Sequence, residues 1–260
     1  MISLYSTAFN LNQIDVNFDE VFSNWLYYVD EIVIATFRRE HEEVRDKVVQ
    51  SKFYDSKKIG VVSRHLDPET DCYWDGKLKA AALKNCRKDV ALQCDLDERI
   101  SGDLSVFKNL EKEILKHDFA CSIMLPSIDL YGDLDHMVNI GYKWYLHTRK
   151  ETTRGAVLWA KREDGSFDPE KSDTCELIDE RGQLIPCIGK VSPTENDPKI
   201  IHLGYLDLEA RKKLNKDFWD KVWNKRYNRK TSPDCGKEKL NGGDPRKKPH
   251  NLSHPLWPTL

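Results

Sequence analysis

Between Asp89 and Leu104 the chain reads DVALQCDLDERISGDL, an apolar run that closes on two carboxylates one residue apart, Asp95 and Asp97, with Glu98 directly behind. Two carboxylates at a strand terminus can offer oxygen ligands to a hard divalent ion, and such an ion neutralises phosphates. D-x-D is a weak pattern on its own, and a solvated turn with Glu98 paired to a basic neighbour is the competing reading. Further down, His202 stands in IIHLGY, after an apolar run and before a glycine that lets the backbone turn closely past a ligand. A neutral imidazole there would be a metal ligand; an ordinary packed or surface histidine is the alternative.

These groups need elements to carry them to one place. MISLYSTAF reads as a buried strand and a polar turn, and NFDEVFSNWLYYV sets Phe18, Val21, Phe22, Trp25, Leu26 and Val29 at helical spacing behind a capping Asn17. DEIVIATF is a second strand, EHEEVRDKVVQSK a polar helix, KIGVVSRH a third strand, DGKLKAAALKNC an alanine-rich helix and DVALQCDL a fourth strand. This alternation predicts a mainly parallel central sheet flanked by helices. Ligands of such open sheets bind beyond the carboxyl ends of the strands, where Asp95 and Asp97 fall.

GDLSVFKNLEKEILKH is another helix, with Asp103 in its first turn, and after it the periodicity loosens. The expected organisation is one catalytic domain over residues 1–230, with a first half at 1–110 and a mixed region of short strands and loops at 111–230 that supplies a second wall. Its last element is a basic helix, DLEARKKLNKDFWDKVWNKRYNRK, and residues 231–260 form an irregular tail rich in Pro, Gly and Lys.

Composition narrows the partners. Forty-three acids against forty-one bases leave a net charge of -2, which gives no general attraction to nucleic acid or to anionic membrane. The seven cysteines are odd in number and contain no C-x-x-C pair, arguing against a disulfide framework or a zinc ribbon and for a reducing compartment. With no secretory signal pattern at the N-terminus and no apolar run near the roughly 20 residues of a membrane helix, a soluble cytoplasmic protein is expected. The basic helix, with Trp219 and Trp223 beside Lys221, Lys225, Arg226, Arg229 and Lys230, has the composition for peripheral membrane contact, against which stands a solvated helix face.

Taken together, the turn STAF after the first strand, the K-x-x-x-L of the alanine-rich helix and the strand ending in D-x-D resemble the nucleotide-sugar glycosyltransferases of the GT-A fold, of the family 2 type, over about Met1 to Leu110. The resemblance implies that Ser6, Thr7, Ala8 and Phe9 embrace the nucleotide base, and that the helix carrying Asp75, Lys77 and Lys79 brings a basic residue near the nucleotide. It implies that Asp95 lies beside the ribose and that Asp97, with Asp95 and a C-terminal histidine matched by His202, serves a Mn²⁺ or Mg²⁺ on the diphosphate. One departure concerns the base: the family ends its second strand on an acid, whereas IVIATFRRE offers Thr36 and no acid before Glu40.

An inverting transfer also needs a carboxylate to take the acceptor proton. The family places it well downstream of D-x-D, where Asp173, Glu176, Asp179 and Glu180 of KSDTCELIDERG compete with Asp133 and Asp135 of YGDLDH, each with a turn or surface role as its alternative. Tyr142, Trp144, Tyr145 and Trp159 are candidates for a platform under an acceptor sugar, or for core packing. The implied function is metal-dependent transfer of a sugar from a nucleoside diphosphate sugar to a glycan or other hydroxyl acceptor. A metal-dependent phosphohydrolase or nucleotidyltransferase using the same carboxylates, and a non-catalytic carbohydrate-binding module on the same fold, are the rivals.

Overall fold

The first two strands, β1 (Ile2–Thr7) and β2 (Glu31–Phe37), are buried at every position, as near-continuous apolar runs covered on both faces must be. A computed structural model describes residues 1–11, 16–68, 71, 73–149, 152–155, 162–168, 176–204, 206 and 248–249. In chain order the further elements are α1 (Phe18–Tyr28), placed between β1 and β2, then α2 (His41–Val49), β3 (Ile59–Arg64), α3 (Trp74–Asn85), β4 (Val90–Gln93), β5 (Glu98–Ser101) and α4 (Leu104–Leu115). They continue with β6 (Ser122–Tyr131), β7 (Asp133–Thr148), β8 (Thr152–Gly155), β9 (Glu176–Asp179), β10 (Cys187–Lys190), β11 (Lys199–His202) and β12 (Lys248–Pro249). Asn17 caps α1 as its sequence position predicts, accepting the Glu20 N–H, and Asp103 caps α4 by accepting the Ser105 N–H.

The main sheet runs β3-β2-β1-β4-β7-β6-β11-β5, with β10 added to β6 and β12 to β7, while β8 and β9 form a separate pair. Its first four strands are parallel, as alternation predicts. The sheet as a whole is mixed, which corrects the expectation of a mainly parallel one: β7 pairs antiparallel with both β4 and β6, and β5 antiparallel with β11. The cause is a long hairpin. β6 and β7, of 10 and 16 residues, turn on Gly132 at φ 76°, a conformation that favours glycine, so the region expected to hold short strands holds the longest ones.

One face of the sheet packs Leu4, Ile34 and Leu92 against Phe22 and Trp25 of α1 and Phe107 of α4; the other packs Tyr5, Ala35 and Ala91 against Trp74 and Leu78 of α3. The link between β4 and β5 forces curvature. Only residues 94–97 join them, yet β7, β6 and β11 stand between them in the sheet. Five Cα steps reach about 18 Å at most, while four interstrand spacings in a flat sheet need about 19 Å, so the sheet curls and draws this short link across its carboxyl edge.

The outer edge of β5 is closed by α1. Asn24, buried on the helix, donates from Nδ2 to Ile100 O at 2.9 Å and accepts the Ile100 N–H at 2.8 Å, and Trp25 Nε1 donates to Glu98 O at 3.1 Å. One amide side chain thus replaces a neighbouring strand. Asn24→Ala is expected to leave a buried donor and acceptor unpaired and to cost about 2 kcal/mol, read as a lower urea midpoint with unchanged slope.

Candidate functional site

The link from β4 to β5 is a bracketed turn. Glu98 N donates to Asp95 O at 2.9 Å, and the Asp95 N–H donates to Glu98 Oε2 at 2.8 Å. Glu98 is fully buried, so the third carboxylate of the cluster holds the turn in shape and is no solvated surface charge. Asp95 Oδ1 accepts from Gln93 Nε2 at 2.7 Å and lies 2.8 Å from Lys79 Nζ. Lys79 itself is buried on α3, four residues after Asp75 in the first turn, also buried.

Asp97 faces the other way. Its Oδ2 lies 3.1 Å from His202 Nε2, and its carbonyl accepts the Leu203 N–H at 2.8 Å, which ties the link to the end of β11. Strand register does the rest: His202 stands opposite Glu98 on β5 and opposite Asp129 on β6, and its Nδ1 lies 3.0 Å from Asp129 Oδ1. Asp129, in SIDLY, escapes a reading of the sequence because a single acid in an apolar strand carries no spacing signal; its place at the carboxyl end of β6 is the feature that would have marked it.

Burial disfavours the His202 imidazolium, but the Asp97 charge, hydrogen bonds to Asp129 and Asp97, and the nearby Glu98 outweigh it and raise the pKa to about 10. A group whose pKa rises on folding contributes stability that is complete below its unfolded value near 6.5 and is lost as pH climbs through the folded one. The difference in urea stability between wild type and His202→Gln, measured without metal, is therefore expected to shrink by a few kcal/mol, in order of magnitude, between about pH 7 and pH 10.5.

The donor set suits a divalent cation. Cis ligands of an octahedral Mg²⁺ lie about 2.9 Å apart, close to the 3.1 Å between Asp97 Oδ2 and His202 Nε2. Gly204 leaves room there: a Cβ at that position would come within 2.6 Å of His202 Nε2 and 2.7 Å of Asp97 Oδ2. Among the described residues no three His, Cys, Asp or Glu side chains form a group that could hold a metal ion, so a cation on Asp97 and His202 would need further donors from a ligand and water.

The structure brings Lys79, Asp95, Asp97 and His202 together; the remaining candidates are more dispersed. Lys77 turns to Asp71 at 2.9 Å. Ser6 and Thr36 are fully buried, their hydroxyls without a hydrogen-bond partner among the described residues, and Thr7 and Ala8 are buried beside them in sequence. Phe9 packs edge-on to Trp74 at 4.8 Å between ring centres. Glu40, the first acid after β2, accepts the backbone N–H of Asn10 and so fastens the loop after β1.

Asp133 is exposed at the β6–β7 turn, Asp135 follows it on β7, and Glu176 opens β9. Asp179 accepts the N–H groups of Arg181 and Gln183, a turn-forming role, and Glu180 is exposed in that turn. Tyr142, on β7, has Lys190 Nζ 5.3 Å from its ring centre. Asp173, Trp159 and the basic helix after Leu206 lie outside the described residues. No described helix is long and apolar enough to cross a membrane.

No family model matches the chain, and no curated protein matches it in sequence. Among solved structures it has some likeness to 4-diphosphocytidyl-2C-methyl-D-erythritol synthase from Anaerococcus prevotii, at 17% identity over 57% of this chain and 71% of that one, with a TM-score of 0.35. TarS 1–349 from S. aureus in complex with UDP gives 15% identity, 48% and 36% coverage and a TM-score of 0.32. HddC from Yersinia pseudotuberculosis gives 13%, 84% and 100%, and 0.45. At such identities and scores the likeness bears on neither substrate nor reaction, which have to be read from the geometry.

Proposed function

We propose that the chain moves a sugar from a nucleoside diphosphate sugar to a glycan or other hydroxyl acceptor with inversion, assisted by Mn²⁺ or Mg²⁺. The observation that supports this reading is the Asp97–His202 pair, faced by Gly204, where a side chain would strike both, and two residues from the buried Lys79–Asp95 ion pair at the end of an inner strand. Asp97 Oδ2 and His202 Nε2 would hold the ion. When bound, the ion offsets the charge of the departing diphosphate.

The chain's own groups have separable tasks in this proposal. Lys79 supplies a desolvated positive charge for the anionic donor, and Asp95, fixed by Gln93 and Lys79, accepts from a ribose hydroxyl. Ser6 and Thr7 at the end of β1, Ala8 and Phe9 in the turn that follows, and Thr36 near the end of β2 border the base in this proposal, with Asp75 and Lys77 on the flanking helix. The proton of the acceptor hydroxyl passes to a carboxylate drawn from Asp173, Glu176, Asp133 and Asp135. A cytoplasmic setting completes the proposal.

A screen of nucleotides and nucleotide sugars by thermal shift, with and without Mn²⁺, identifies the donor, because a ligand at 100 times its Kd stabilises a fold by about 2.7 kcal/mol. Incubation of that donor with acceptor sugars should then release nucleoside diphosphate only when an acceptor is present. Release of inorganic phosphate would instead mark a phosphohydrolase, nucleotidyl transfer with pyrophosphate a nucleotidyltransferase, and glycan binding without donor binding a non-catalytic module.

A further inference from the structure

We infer that Asp129 is a positioning residue, which accepts the Nδ1 proton of His202 and thereby turns the Nε2 lone pair toward the space in front of Gly204, where a divalent cation binds. The inference rests on the metal role proposed for Asp97 and His202. Two carboxylates contact one imidazole, 3.0 Å from Nδ1 and 3.1 Å from Nε2. Without metal both contacts suit an imidazolium that donates from each nitrogen; a ring that takes a cation gives up one proton and keeps one N–H, so the two carboxylates then have different tasks.

Position separates them. Asp129 lies directly across from His202 in the ladder between β6 and β11, with a side chain 18% exposed, whereas Asp97 sits on the link with a side chain 41% exposed. A Cβ on Gly204 would strike Nε2 and Cε1, so it is the Nε2 side of the ring, shared with Asp97, that the bare glycine faces. The shielded carboxylate behind therefore keeps the proton, and the exposed one in front shares the ligand. A carboxylate on the distal nitrogen fixes the tautomer and ring angle and raises the basicity of a ligating imidazole; loss of such a partner costs 10–100-fold in metal affinity.

The test uses the full chain and Mn²⁺ alone, titrated by electron paramagnetic resonance of the free ion. Asp129→Ala is expected to weaken Mn²⁺ binding by roughly 10–100-fold, and Asp129→Asn, which keeps an acceptor without the charge, by less. Nitrogen-15 spectra of wild type with Mg²⁺ should show a protonated Nδ1 and an unprotonated Nε2 on His202, a readout independent of how any variant folds. Equal Mn²⁺ affinity in wild type and Asp129→Ala, with His202→Ala much weaker, overturns the positioning role and leaves the metal reading standing. An Nε2–H ring in the Mg²⁺-loaded wild type also overturns it, and a wild type that binds no Mn²⁺ overturns both.

Discussion

Asp97→Ala is expected to lower donor turnover by about a hundredfold or more while the protein remains folded. Loss of an outer partner of a metal ligand already costs 10–100-fold, and Asp97 is proposed as a ligand itself. The side chain is 41% exposed and its removal opens no core cavity, so the cost to the fold is the part of the His202 stabilisation that Asp97 supplies, while His202 keeps Asp129. Gly204→Ala is a companion that changes no donor atom: its methyl would press on both His202 Nε2 and Asp97 Oδ2, so metal affinity should fall although every ligand is present. Wild-type turnover in Asp97→Ala, or full activity of the wild type in excess chelator, would return Asp97 to the surface carboxylates.

Much of the first half of the molecule is legible in sequence because each element there carries its own local signal. The inner strands are apolar without alternation, α1 starts at a capping Asn17, and the helices between them have apolar spacing. β5 has no such signal. ERIS is four residues long and follows the carboxylate pair like the tail of a turn; it becomes a strand because β11 pairs it on one side and Asn24 on the other. Its ladder partner β11 begins about a hundred residues later, and no periodicity conveys that distance.

The hairpin β6–β7 hid for a different reason. Pro126 interrupts the first strand, the register slips between Leu125 and Pro126, and polar residues on both strands blur the alternation, though Tyr131-Gly132-Asp133 is a recognisable turn. With the hairpin unread, the antiparallel half of the sheet and the placement of Asp129 were unreadable too. The site follows the same division. Asp95, Asp97, Lys79 and His202 stand out by type and position, whereas the roles of Glu98 and Asp129 are assigned by burial and by cross-strand register alone.

Lys79→Ala tests the other half of the site, and its expected outcome differs from what the sequence implies. A lysine ahead of an alanine-rich helix would be expected to serve the ligand and matter little to the fold. In the structure it is 4% exposed, with Asp95 Oδ1 at 2.8 Å, so truncation strands a partly buried carboxylate that keeps Gln93 as a hydrogen-bond partner. Breaking a buried pair from one side costs about 3–5 kcal/mol, and the 30% exposure of Asp95 places this case at about the lower end, a fall in Tm of about 6–12 °C for a chain of this size. Donor affinity should fall by tenfold or more as well, since a desolvated cation is lost from the anionic ligand. The two effects separate in the double variant Lys79→Met, Asp95→Asn: with both charges gone the melting temperature should recover most of the loss, whereas donor affinity should not. Recovery of both, or a lowered melting temperature with unchanged donor affinity in Lys79→Ala, would make the pair a structural ion pair beneath α3 and move the phosphate-facing charge elsewhere in the cleft.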